Sequence, residues 1–212
     1  MLEDFQLAAI AGVGDAAGLY RIPLHQGLQD TLANTWGEQL NAFVEGAEEV
    51  DFDAAYNPEP DERFRLTDFD LPGYLSAATS DAVMGLDAIG EGEQFIRSIR
   101  AIVGLAQDNG DEIVLFQNFS RSHVIRPGQF LFLRNDTYET VQRPGLTLEG
   151  RLSAVYVPDQ RKLLFHNFRT VNTFLPLADV YKEASENDIR EVLDHASFSP
   201  EDVDALAVNA NQ

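Results

Sequence analysis

AIVGLAQDNGDEIVLFQNF, residues 101–119, places two apolar runs on either side of Asn109-Gly110. An Asn-Gly pair between apolar runs is a strong short-range hairpin signal, because the two-residue turn that matches strand twist needs positive φ at both central positions. The stretch therefore predicts two adjacent antiparallel strands. Immediately upstream, FIRSIRAIVGLA from Phe95 to Ala106 carries both patterns. Ile96, Ile99, Ile102 and Val103 suit a helix, whereas the β-branched content suits a strand, which is assigned to the second half. Downstream, QFLFL at 129–133 follows Pro127-Gly128, and LSAVYV at 152–157 is joined by PDQR to KLLFHNF. Short β-rich runs separated by turn chemistry predict a largely antiparallel sheet from roughly residue 95 to 168.

Two of these runs are nearly the same: VLFQNF at 114–119 and LLFHNF at 163–168. As central strands they turn Leu115, Gln117 and Phe119 to one face and Phe116 and Asn118 to the other, a division that Leu164, His166, Phe168 and Phe165, Asn167 repeat. Each puts a polar residue in the middle of either face, which a buried strand tolerates only when the group is hydrogen-bonded. The flanking lengths do not match a repeat unit. Convergence of two strands of one sheet on similar residues is the expected explanation.

Outside the sheet, GLYRI near the start reads as a short strand. Leu24, Leu28, Leu32, Trp36 and Leu40, with Phe43 and Val44 beside them, form an apolar stripe on a helix of about five turns. EEVDFDAAYNPEPDERFRLTDFDLPGYL follows, with Pro58, Pro60 and Pro72-Gly73, and is read as a flexible or peripheral link. At the C-terminus, LADVYKEA, NDIREVLDHA and PEDVDALAV read as three short helices, with start signals at Ser185/Asp188 and Ser199-Pro200/Asp202. The expected fold class is α+β: a mainly antiparallel β-sheet with an N-terminal amphipathic helix and a C-terminal cluster of short helices. Residues 1–212 are read as one domain with an acidic N-terminal part (1–112), a β-rich basic core (113–175) and acidic C-terminal helices (176–212).

The charge pattern supports that division. The chain has 212 residues and a net charge of −20. Residues 1–112 carry 5 basic and 22 acidic side chains, residues 113–182 carry 9 and 5, and residues 183–212 carry 1 and 8. A mildly basic island thus lies between acidic flanks. Of 15 cations, only Lys162 and Lys182 are lysines. A large negative total first serves solubility and opposes phosphate binding in general. The absence of cysteine removes disulfides, thiol nucleophiles and thiolate-held metals. No apolar run approaches the length of a membrane span, and Glu3 and Asp4 stand where a signal peptide needs positive charge, so a cytoplasmic protein is expected.

Catalytic signatures are missing. GVGDAAG offers Gly12, Gly14 and Gly18, but its spacing is one residue too long for a dinucleotide fingerprint, no long strand is read ahead of it and a strand is read after it. His25, His123, His166 and His195 occur singly, and His166 is expected as a hydrogen-bonded core residue in mid-strand. No catalytic residue, metal or cofactor is expected. What remains is the island itself: Arg121, Arg126, Arg134, Arg143, Arg151, Arg161, Lys162 and Arg169, interleaved with Phe119, Tyr138, Phe165 and Phe168. Guanidinium forks suit phosphate oxygens, and aromatic faces stack bases. Arg121, Arg126, Arg134, Arg143, Arg161, Lys162 and Arg169 are the candidate nucleic-acid contacts. Pairing with the chain's own carboxylates is their competing role.

The order FSRSH, GLTLEGRLSAVY, LLFHNFRTVNTFLPLADVYKEA and IREVLDH, preceded by DAAYNPEPDERFRLTDFDLP, resembles the KwaB family of the Kiwa anti-phage defence system across most of residues 20–205. Family members generally continue further, so the resemblance is to their N-terminal part. It implies a non-enzymatic antiviral component that associates with DNA and works with a KwaA-like integral-membrane protein, without inserting in the membrane itself. A homodimer is a further implied assembly, and recruitment to the inner face of the membrane would follow from the partner. The alternative is a protein-interaction adaptor that docks the membrane partner through its acidic flanks and never touches DNA.

Overall fold

The computed structural model describes residues 2–180 apart from 13–15, 77, 80, 91, 129, 141 and 179. Twelve strands and three helices follow in chain order among the described residues: β1 (Glu3–Ala11), β2 (Gly18–Arg21), α1 (Gln26–Val44), β3 (Glu48–Asp51), β4 (Glu62–Leu66), α2 (Glu93–Ser98), β5 (Ile99–Asp108), β6 (Asp111–Asn118), β7 (Val124–Ile125), β8 (Leu131–Arg134), β9 (Thr137–Thr140), β10 (Gly145–Leu146), β11 (Ala154–Val157), β12 (Lys162–Phe165) and α3 (Phe168–Val171). The fold mixes α and β and is built on a mainly antiparallel sheet.

The Asn109-Gly110 hairpin forms as its chemistry requires. Asn109 has φ 54° and Gly110 φ 92°, and Asp108 faces Asp111 at the closing pair. Both readings of the upstream segment hold in succession, since α2 ends at Ser98 and β5 begins at Ile99. The sheet is wider than expected. Its eight strands run β2-β1-β5-β6-β11-β12-β4-β3, so it reaches back to Glu3 and uses strands from the acidic N-terminal part. All neighbours are antiparallel except β3 and β4.

The near-repeat has a geometric cause. β6 and β12 flank β11 and pair with it in the same register, so Phe116, Ala154 and Phe165 lie in one row and Leu115, Val155 and Leu164 in the next. Alternation sends the first row to one core and the second to the other. The two hexapeptides stand at the same height beside a common neighbour and share surroundings over their first three residues, after which they diverge, since β12 ends at Phe165 and Phe168 turns to the opposite core from Phe119. Similar side chains solve both positions.

The two faces are covered differently. On one, α1 packs Ala33, Trp36, Leu40 and Phe43 against Leu7, Ile102, Leu115 and Val155. The buried positions follow a 3-4-3 spacing, whereas the expected stripe advanced by four, which drifts around a helix of 3.6 residues per turn. Leu28 and Val44 are accordingly exposed. Among the described residues the other face is covered without a long helix, by Phe69, Leu75 and Val83 and by Val171, Phe174 and Leu177. The link read as flexible or peripheral is therefore structural: it contributes β3, β4 and the buried Phe64, Phe69 and Leu75. Two other expectations change. QFLFL leaves the main sheet, since β8 pairs with β9 in a ribbon of its own. A long strand, β1, does precede Gly12, but the chain returns as β2, which Gly18 opens opposite Ala11, so the segment joins two strands and not a strand to a helix. The three expected C-terminal helices lie essentially outside the described residues.

Gln117 answers for the polar centre of the first hexapeptide. It is fully buried, and its Nε2 donates to Gln39 Oε1 at 2.7 Å and to the Glu149 carbonyl at 2.8 Å. Its Oε1 accepts from the Glu149 N–H at 3.1 Å. The side chain ties α1 to the loop before β11. Gln117→Ala strands these partners and is expected to cost about 1–3 kcal/mol in chemical denaturation, the usual penalty for buried polar groups left unpaired.

Candidate functional site

At one end of the sheet β6 and β12 finish, β11 and β4 begin, and the loop from Phe52 to Asp61 folds over them. Two adjoining clefts open there. The larger, of about 730 Å³, is lined by Arg63 and Glu59 on one side and by Arg151, Ser153 and His166 on the other. The smaller, of about 450 Å³, is lined by Phe52, Tyr56, Phe64, Phe168 and Arg169, with Asp53. Asn57, Pro58, His166 and Asn167 belong to both, so the clefts form one groove with two lobes.

Local structure explains each position. β12 ends at Phe165, which places His166 in the groove as a partly exposed residue instead of the expected mid-strand core position. Asn167 caps α3 by accepting from the Thr170 N–H at 3.0 Å, which leaves its amide nitrogen without a partner among the described residues. Arg63 is held by carbonyls: its Nε donates to Phe43 at 3.2 Å and its Nη1 to Pro60 at 2.9 Å and Glu62 at 2.7 Å. Its guanidinium also lies 4.9 Å from the centre of the Phe43 ring. Burial pulls its pKa down, but an arginine in this state remains a cation. Arg63, Arg151 and Arg169 form no ion pair among the described residues, although the Asp61 carboxylate favours the charged form of Arg63.

The loop is pinned by Tyr56, whose hydroxyl donates to Glu62 Oε2 at 2.6 Å, while the same oxygen accepts the Glu59 N–H at 2.7 Å. The hydrogen bond to the carboxylate pushes the phenol up to about 12 from 10.0, and the phenol in turn lowers the Glu62 carboxyl. The stability this bond adds is complete below pH 10.0 and is lost as the pH climbs through about 12. On the acid side it is present above the ordinary Glu value of 4.5 and is lost as the pH falls through the lowered folded value. Difference absorbance of the wild type against Tyr56→Phe should show one phenol ionising near pH 12. Glu62→Ala should return that phenol to about 10.

The expected contacts separate into groups. Arg161, at the opposite end of the sheet, is clasped by Asp70 at 2.9 Å and Asp68 at 3.4 Å, and Lys162 by Glu49 at 3.0 Å. Arg126 lies 3.9 Å from Glu93, which also holds Arg97 at 2.6 Å. Arg121 and Arg143 are exposed without a carboxylate partner among the described residues, outside the groove lining. Arg134 ends β8, in the separate ribbon. Of the seven, Arg169 lines the groove, joined by Arg151 from the wider island. Arg63 was missed because it lies in the acidic segment read as a link, although the alternation of ERFRL marks a strand.

Across both lobes three arginines face two carboxylates, a local excess of positive charge on a chain of −20. Among the described residues no cluster of His, Asp or Glu is placed to hold a metal ion, and no helix is long and apolar enough to cross a membrane. No family model matches the chain, and no curated protein or solved structure matches it significantly.

Proposed function

We propose that this protein is a non-enzymatic component of an anti-phage defence system that binds DNA, and that the two-lobed groove is its contact surface. The observation that carries the reading is the convergence of Arg63, Arg151 and Arg169 on one groove with no ion pair among the described residues, while Arg161 and Lys162 are engaged elsewhere. Arginine forks bind phosphate oxygens bidentately, and backbone contacts of this kind hold a nucleic acid regardless of sequence. The surrounding negative charge repels polyanions from the remaining surface and confines them to the groove. Binding measured by fluorescence anisotropy at several salt concentrations tests this. The affinity should fall steeply with salt, and a tight complex indifferent to salt would overturn the reading.

An adaptor that docks through the basic middle instead of the acidic flanks has support in the β8–β9 ribbon, which leaves Leu131, Leu133 and Tyr138 exposed. A two-stranded ribbon is marginal alone in water, and exposed apolar side chains on it suit protein contact. In that case capture of a KwaA-like membrane partner is lost with Leu131→Ser and Leu133→Ser, and DNA binding is unchanged.

A further inference from the structure

The lobes of the groove differ in chemistry. The larger presents Arg63 and Arg151, whereas the smaller carries Phe52, Tyr56 and Phe168 over the buried Phe64. Three of these rings already pack on one another. Phe52 stacks on Phe168 with an interplanar angle of 17°, and it meets Phe64 edge-on at 5.1 Å. Tyr56 is the outermost. It touches Phe64 edge-on at 6.2 Å, its hydroxyl is fixed by Glu62, and it is still 43% exposed. A ring held at two points loses little freedom when a flat ligand lies on it. Asn57 and His166, at the junction of the lobes, make no side-chain hydrogen bond among the described residues. They supply uncommitted donors and acceptors beside the rings.

We infer that the smaller lobe takes an unpaired base of single-stranded DNA, stacked against Tyr56 and the Phe52–Phe168 pair, while the larger lobe takes the neighbouring phosphates on Arg63 and Arg151. Arg169, lining the aromatic lobe, sits where it can meet the phosphate on the base's other side. A duplex keeps its bases stacked inside and offers none to such a lobe, so the arrangement selects single strands. Each lobe, about 730 and about 450 Å³, is of the size that takes a small ligand or a nucleotide unit. Stacking supplies affinity without sequence preference, because every base has a π face.

This inference rests on the proposed DNA-binding reading, and the test separates the two. The probes are a labelled oligodeoxythymidylate of about ten nucleotides, within the range covered by small single-strand binders, and the same backbone carrying abasic sites throughout. Both have the same phosphates. The wild-type chain should bind the base-bearing strand about 10-fold more tightly than the abasic one, in line with the contribution of one stacked base. Tyr56→Ala should abolish that preference, and Tyr56→Phe should keep it. Equal binding of the two probes by the wild type overturns the base-stacking inference and leaves the phosphate-binding groove standing. A preference that survives in Tyr56→Ala removes its assignment to this lobe. Binding of neither probe overturns the inference, and if a duplex of the same length also fails to bind it overturns the DNA-binding reading as well.

Discussion

Trp36→Ala is expected to remove a large share of the folding stability. The indole is fully buried on α1, and it lies so close over β5 that a Cβ on Gly104 would come within 2.7 Å of Trp36 Cε3 and 3.0 Å of the Phe5 ring. The glycine is required for close approach, since the strand leaves no room for a methyl group. Truncating a buried tryptophan typically costs about 3–5 kcal/mol, because the cavity collapses only in part. Domains of this size have about 5–15 kcal/mol in all. The indole Nε1 has no hydrogen-bond partner among the described residues, so Trp36→Phe forfeits none of those and should be much milder. From the other side of the contact, Gly104→Ala should cost about 1–3 kcal/mol through overpacking. That cost should shrink in the Trp36→Ala background, where the clash is gone, because contacting residues are not additive. Urea midpoints at constant slope read all four values. A loss below about 1 kcal/mol for Trp36→Ala would mean that α1 does not close this face of the sheet.

The second large effect concerns the groove. Arg151→Glu combined with Arg169→Glu should weaken DNA binding by on the order of a hundredfold or more, since each charge-assisted contact is worth about 1.5–3 kcal/mol. The salt response is the sharper readout. With three phosphates of a single strand neutralised, affinity should fall about 20-fold between 50 and 200 mM salt, following a log–log slope of about −2.1. Removing two contacts should bring that slope to about −0.7. Arg161→Gln and Lys162→Gln should change binding less than about twofold, because their charges already answer Asp68, Asp70 and Glu49. The opposite ranking would move the interface to the other end of the sheet and sink the groove.

The contrast between Arg161 and Arg169 shows where sequence reading stops. Both follow or flank β12, and both belong to the same basic island. Which is available depends on carboxylates distant along the chain. Asp68 and Asp70 come from a segment more than ninety residues earlier, and they reach Arg161 because β4 pairs with β12. Arg63 arrives at the groove by the same pairing. By contrast, the Asn109-Gly110 turn, the change from helix to strand at Ser98 and Ile99, and the faces of Leu115 and Phe116 depend on neighbours within a few residues. Those features were legible. β1 was not, because EDFQLAAIA is buried on both faces toward its end and loses the alternation that marks a strand.

Local chemistry alone determined the hairpin, the alternation of the central strands and the division of charge into a basic middle and acidic flanks. Tertiary structure decided that the hexapeptides are twins by register, that the acidic link builds a sheet edge and a groove wall, and which guanidiniums stay unclaimed. The physical reason is range. Turn dihedrals and strand periodicity act between adjacent residues, whereas pairing of charges and closure of a groove require strands remote in the chain to arrive side by side.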